Sequence, residues 1–306
     1  MKNVHNCYGW SRRSVSVMLP LLVLYWSVAS VTTHAQSQRT DLSRLTQPVL
    51  RVAGPARPAP AAQAHPLDAT IRMAREKLDY SRQQIRDYSA TLVKREQVNG
   101  ELLDYQFIYV KIRNERQDAQ GRITAPFSVY MQFVRPEDLK GREVLWVKGH
   151  NNNKLIAHEG SGLVGLLSVW LEPTSSVAMR GQRYPVSFVG MENLLHQYIT
   201  RMEKSKRLGT PEDFQVQVFE GARVDGRACT CTQLTHPVPR NYLDNYVSRL
   251  FIDNEYNIPI RYVTFGWPKR QGDKSSVIEE YTYRDVKLNA GFTDADFNHK
   301  NRSYSF

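Results

Sequence analysis

The side chains able to do chemistry are few and badly spaced for it. His65, His150, His158, His196, His236 and His299 show no H-E-x-x-H spacing, which would set two imidazoles on one helical face for zinc. His158 and Glu159 are neighbours, and neighbours on a strand point to opposite sides. Cys229 and Cys231 stand two apart in a segment that reads as strand, so both thiols point to one face. That spacing bridges poorly and lacks the extra ligands a metal site needs, so two buried free thiols are expected. Glu143, Glu279 and Glu280 are the carboxylates that could serve as an acid and base, and their strand context predicts solvated faces instead. No G-x-S-x-G or G-x-x-x-x-G-K occurs. Gly162 and Gly165 form one G-x-x-G in an apolar run and read as packing. The run Lys204-Ser205-Lys206-Arg207 closes an expected helix, where cations complement the dipole without any partner. The expectation is a protein that is not an enzyme and has no cofactor and no metal.

The elements around these residues sort the chain into three parts. Lys2, Arg12 and Arg13 precede the uncharged run Val15–Val31, and the chain then turns polar and reaches Ala35. This is the pattern of a secretory signal over 1–35, cleaved near Ala35, with an uncleaved membrane anchor as the alternative. Residues 36–66 hold Pro48, Pro55, Pro58, Pro60 and Pro66 among Ala and Arg, with no apolar period, and read as a disordered linker. Residues 67–306 form one domain. Of the net charge of +11, +3 falls on 1–35 and +3 on 36–66, leaving +5 on the domain, too little to imply a nucleic-acid partner.

Within the domain, Ile71, Ala74, Leu78 and Ile85 share a helical face, and Asp68 is the expected N-cap. Then the period changes to two. Strands are expected over 87–98 and 101–113 around the hairpin signal Asn99-Gly100, then over 127–133, 142–148 and 154–158. Five more follow over 214–220, 227–235, 246–253, 258–267 and 276–286. Two apolar segments interrupt the strands: a helix is expected over 160–171, and an amphipathic one over 187–206 with Leu194, Leu195, Tyr198, Ile199 and Met202 on its inner side. The fold class is α+β: a curved antiparallel sheet of about ten strands, an incomplete barrel, wrapped over helices. Several strands are apolar on both faces, which calls for helices on one side and a cavity or partner on the other, or for two packed sheets.

The segment from Phe127 to Gly160 resembles the central part of the bacterial lipoprotein-localisation-factor superfamily, the outer-membrane lipoprotein carriers. Leu250–Asp253 with Ile258-Pro259-Ile260, Glu280–Tyr283 and Phe292–Phe297 fit the same pattern. More closely, 67–306 resembles the family known as domain of unknown function 1571, through Arg180–Val186, Asp296-Phe297-Asn298, Asn301, Tyr304 and Phe306. The resemblance implies a lipoprotein-carrier-like incomplete barrel around helices with an apolar cavity, in a superfamily that moves acyl chains across the periplasm. The long Pro/Ala tail departs from it.

The expected function is an exported, periplasmic carrier or binding domain for a hydrophobic ligand, a lipid or an acylated protein or peptide, with transient membrane contact. The alternative is an envelope scaffold or protein-interaction module whose cavity is plugged by its own side chains. The residues expected to line the cavity or its lid are Phe107, Tyr109, Phe133, Trp146, Leu163, Leu166, Leu167 and Trp170. Gly162 and Gly165 loosen the segment that holds four of these, which suits a lid.

Overall fold

The computed structural model describes residues 57–58, 65–160, 167–270 and 272–306. The signal-like segment, most of the Pro-rich segment and residues 161–166 lie outside these. Ten strands form where the period of two was read. They are β2 (Asp87–Val98), β4 (Gln106–Arg113), β7 (Ser128–Arg135), β8 (Glu143–Val147), β9 (Leu155–His158), β11 (Gln215–Val224), β12 (Arg227–Thr235), β13 (Val247–Asp253), β14 (Pro259–Phe265) and β15 (Val277–Leu288). Shorter additions are β1 (Arg57–Pro58), β3 (Glu101–Leu102) and β10 (Ser168–Leu171), with a separate two-stranded ribbon of β5 (Arg116–Gln117) and β6 (Ile123–Ala125). The main sheet runs β1-β11-β12-β13-β14-β15-β2-β4-β7-β8-β9-β10, with β3 on β2, and every pairing is antiparallel. Its two ends do not meet, so the barrel is incomplete. The only other sheet among the described residues is the two-stranded β5–β6 ribbon, so two packed sheets of a sandwich are not what forms.

Turn chemistry sets the register locally. Asn99 and Gly100 take positive φ (51° and 86°), as do Asp225 and Gly226 (50° and 83°), the backbone that a two-residue hairpin needs. The pairing of β15 with β2 is of another kind. It joins the last strand to the first long one and carries the register Glu279↔Glu96 and Tyr281↔Lys94.

Two helices lie on the sheet's inner face. Helix α1 (Asp68–Gln84) begins one residue earlier than expected: Leu67 is its N-cap, and Asp68 is a first-turn acid that pairs with Lys206. Helix α2 (Met191–Leu208) begins after the expected Ser187, because Val186–Phe188 makes a single 3-10 turn and Gly190 has φ 115°. Its first free backbone N–H groups are held from the sheet. Gly190 N–H donates to the Tyr283 hydroxyl (3.1 Å) and Met191 N–H to the Tyr88 hydroxyl (2.8 Å). Ile71, Ala74 and Leu78 of α1 and Leu195, Tyr198, Ile199 and Met202 of α2 bury against Leu234, Leu250, Ile252 and Tyr262. The helices therefore cover the β12–β14 half of the inner face and leave much of the β2–β10 half to be covered otherwise.

The outer face of β4, β7, β8 and β9 is covered by the chain's own C-terminal segment. Phe297, Tyr304 and Phe306 pack on Tyr130, Leu145, Val147 and Ile156, and Tyr304 stacks on Tyr130 with ring centroids 4.0 Å apart. This is why those strands are apolar on both faces.

The helix expected over 160–171 is corrected in its described part. Ser168–Leu171 is strand β10, antiparallel to β9 with Trp170 opposite Ile156. An open strand edge offers four residues a ladder, and Val169 and Trp170 are strand formers. Leu163 and Leu166 lie outside the described residues.

Candidate functional site: an apolar groove with a charged floor

Residues that face each other across an antiparallel ladder share a face, so register alone builds the site. Gln106, Lys94, Tyr281 and Tyr262 stand opposite one another in sequence across β4, β2, β15 and β14. One pleat further, Glu96 faces Glu279. This polar patch floors a groove of about 530 Å³. The walls are largely apolar: Leu92, Met131, Phe133, Val144 and Leu155 from the sheet, Val169 and Leu171 from β10, and Val177, Val186 and Phe188 from the segment between β10 and α2.

The carboxylates of Glu96 and Glu279 are 4 % and 2 % exposed. Two like charges directly opposite across a ladder repel, and burial makes that worse. The surroundings compensate. Glu279 accepts from Arg201 Nη1 of α2 (2.8 Å) and from the Tyr184 hydroxyl (2.6 Å), with Arg183 Nε at 3.3 Å. Glu96 accepts from Lys94 Nζ (3.0 Å), the Arg183 backbone N–H (3.0 Å) and the Tyr281 hydroxyl (2.6 Å). Lys94 also donates to Gln182. Sheet, α2 and the 180–184 segment are tied together at this one place.

Titration follows from the same contacts. Burial, then the charges of Glu279 and Glu96, push the Tyr281 phenol far above its ordinary value. Burial and Glu279 also raise Tyr184, although Arg201 opposes them. Burial works against the charge on Arg201, but Tyr262, Glu279 and Tyr184 outweigh it and hold the guanidinium above its ordinary value. The phenols therefore remain hydrogen-bond donors throughout the ordinary pH range.

The expectation that Glu143, Glu279 and Glu280 are solvated is corrected: all three are buried. Glu143 accepts from Ser305 N (3.0 Å) and Ser305 Oγ (3.1 Å) under the C-terminal segment. Glu280 lies on the outer face, paired with Arg261 (2.7 Å) and bonded by Tyr105 (3.1 Å). The thiols are as expected. Cys229 and Cys231 are buried and free, and burial pushes them up to about 11 and about 12. Among the described residues no cluster of His, Cys, Asp or Glu could hold a metal ion.

Of the eight residues read as cavity or lid, Phe133 lines the groove. Trp146 is buried nearby against Phe127 and donates its indole N–H to Asn153 O (3.1 Å). The register puts Phe107 opposite Val93 on the outer face, and Tyr109 packs with the C-terminal cluster there. Trp170 stands edge-on to His299, while Leu167 is 64 % exposed. The groove residues that sequence reasoning missed are Lys94, Glu96, Tyr184, Arg201 and Tyr281. One signal was available: charged Lys94 and Glu96 occupy the same face of β2 as apolar Leu92.

Residues 85–306 match the family described as "Protein of unknown function (DUF1571)". The chain belongs to that family. The match begins at Ile85, just after α1, and takes in all of the groove. No curated protein matches this DUF1571 chain. Among solved structures it is similar to a DUF1329 family protein from Desulfovibrio piger, at 11% identity over 77% of this chain and 98% of that one, with TM-score 0.36. It is also similar to a putative outer membrane lipoprotein-sorting protein domain from Vibrio parahaemolyticus, at 12% identity over 74% and 95%, with TM-score 0.35. A third is a LolA superfamily protein from Nitrosomonas europaea, at 12% over 74% and 97%, with TM-score 0.29.

Proposed function

We propose that this DUF1571 protein is an exported, non-enzymatic binding or carrier protein of the cell envelope. Its cargo is the apolar chain of a lipid or acylated peptide. The groove of about 530 Å³ carries this reading. Its size falls in the range of small-ligand sites, with apolar walls and a few convergent polar groups at one place. Burial of a chain yields about 0.8 kcal/mol per CH₂. A sixteen-carbon chain could draw on the order of 10 kcal/mol from such walls before ordering costs, with no special side chain to advertise it. Export rests on the basic, then apolar, then small-residue pattern of residues 1–35.

The test is binding of a fluorescent acyl probe, with native mass spectrometry of protein purified without detergent to reveal a retained lipid. Val177 and Phe188 line the groove yet are partly exposed, so Val177→Asp and Phe188→Asp leave the fold intact. Each should weaken the probe at least tenfold, while circular dichroism stays unchanged. Probe binding that is normal in both variants would sink the proposal.

A further inference from the structure

Three cations meet two carboxylates on the floor of the groove. Lys94 pairs with Glu96, whereas Arg201 and Arg183 share Glu279 (2.8 and 3.3 Å). Glu96 and Glu279 are buried, and the phenols of Tyr281 and Tyr184 that bond them are neutral donors. The floor therefore holds one positive charge more than it matches. The other charged groups that line the groove do not cancel it. Arg142 and Glu159 pair with each other (2.6 Å), and Arg180, Asp104 and Asp138 are exposed, where water and salt screen them. Donors are also in excess. Among the described residues, Arg201 spends three of its five N–H groups, on Tyr262, Glu279 and Tyr184, and Lys94 two of its three, on Glu96 and Gln182. The remaining N–H groups belong to two cations that line the groove, and an anion there would take them in charge-assisted hydrogen bonds.

Beside these donors stands an acceptor in want of one. Gln106 lies opposite Lys94 across β2 and β4, is 7 % exposed, and its Oε1 has no hydrogen-bond partner among the described residues. An orphaned buried carbonyl is costly to keep, and only an N–H or O–H satisfies it. The two needs together define a head group: an anion for Arg201 and Lys94, with a hydrogen-bond donor next to it for Gln106. An ester or an alcohol brings no charge, and a fatty-acid carboxylate brings no donor. We infer that the groove takes an acyl chain joined through an amide to a carboxylate, the chemistry of an N-acyl amino acid, with Arg201 and Lys94 on the carboxylate and Gln106 Oε1 on the amide N–H. The chain runs along Leu92, Met131 and Phe133, which line the same groove. The inference rests on the reading of the groove as an acyl-chain site.

Diphenylhexatriene, a hydrocarbon dye with no polar atom, reports access to the groove in the full chain. N-palmitoylglycine, the uncharged N-palmitoylethanolamine and palmitate then compete for it. N-palmitoylglycine should displace the dye at least tenfold more effectively than N-palmitoylethanolamine, which keeps the amide and lacks the charge. It should also compete about three- to tenfold better than palmitate, which keeps the charge and lacks the N–H, the worth of one hydrogen bond. Arg183 is not part of the groove wall, and Arg183→Gln leaves Arg201 on Glu279 while removing the surplus charge, so it should narrow the first ratio severalfold. Gln106→Leu should erase the second ratio by weakening N-palmitoylglycine. N-palmitoylethanolamine competing as well as N-palmitoylglycine overturns the inference, a comparison made in the wild-type protein that needs no variant to fold. Ratios that stay the same in both variants, each with its Tm kept, overturn it too. A wild-type protein that fails to bind the dye overturns the groove reading itself, a result seen before any competitor is added.

Discussion

Glu279 shows what one buried carboxylate demands of its neighbours. It draws Arg201 from α2, Tyr184 from the preceding segment and Arg183 beside it. Arg201→Met should cost about 2–3 kcal/mol in urea unfolding. That is below the figure for a fully buried pair, because the guanidinium edge reaches solvent. The double change with Glu279→Gln should recover part of that cost, since no buried charge is then left bare; simple additivity of the two changes would refute the coupling. Glu192, in the first turn of α2, makes a pH prediction. Burial pushes it up to about 7, although Arg116 opposes that shift. A carboxyl raised in the folded state binds more protons there than in the unfolded chain. Its contribution is therefore full below about pH 4.5 and is lost as pH rises through about 7. Stability should fall by up to about 3 kcal/mol across that window, and Glu192→Gln should flatten the curve and be the more stable protein at pH 8. An unchanged slope in that variant would show that other groups set it.

The C-terminal segment is an element without a period of its own. Its single 3-10 turn, Asp294–Phe297, is fixed by a capping box of Thr293 and Asp296. Asp296 also meets Lys111 (3.2 Å), and Asp294 meets Arg113 (2.6 Å), so charge and aromatic packing dock it together. Phe297→Ala should cost about 3 kcal/mol, as for other buried aromatics, and expose Tyr130 and Leu145 to solvent. Far-UV circular dichroism should be unchanged while intrinsic tyrosine fluorescence shifts. A loss under 1 kcal/mol would mean that the segment is a loose cover rather than part of the core.

At the scale of the whole molecule, the domain is closed by β15 on β2 and leaves its groove between the sheet, α2 and the segment that leads into it. Among the described residues before His65, the Pro-rich segment meets the domain at two ladder positions, Arg57↔Val218 and Pro58↔Gln217 on the edge of β11. A chain beginning at His65 should therefore melt within about 2 °C of the full chain, since 1 kcal/mol moves Tm by only about 2–4 °C at this size. A larger fall by calorimetry would show that the N-terminal segment is part of the folded unit.

The strands were legible because their causes are local. Asn99-Gly100 and Asp225-Gly226 specify turns within four residues, and alternation along β4 and β7 needs no distant partner. The inner faces of α1 and α2 were legible for the same reason. Alternation says that a strand has two faces but not what covers either one. Local alternation points Phe107 and Tyr109 toward a cavity, whereas the register turns both outward, and Tyr109 meets a C-terminal segment nearly two hundred residues away. Ser168–Leu171 is helical by local apolar spacing and a strand because the edge of β9 was open. Most of all, Glu96 and Glu279 look like surface charges in sequence. Their burial was decided by a pairing 183 positions apart and by Arg201 and Tyr184 arriving from a third element. Periodicity records which residues share a face; only tertiary contact decides whether that face meets water, a helix or a groove.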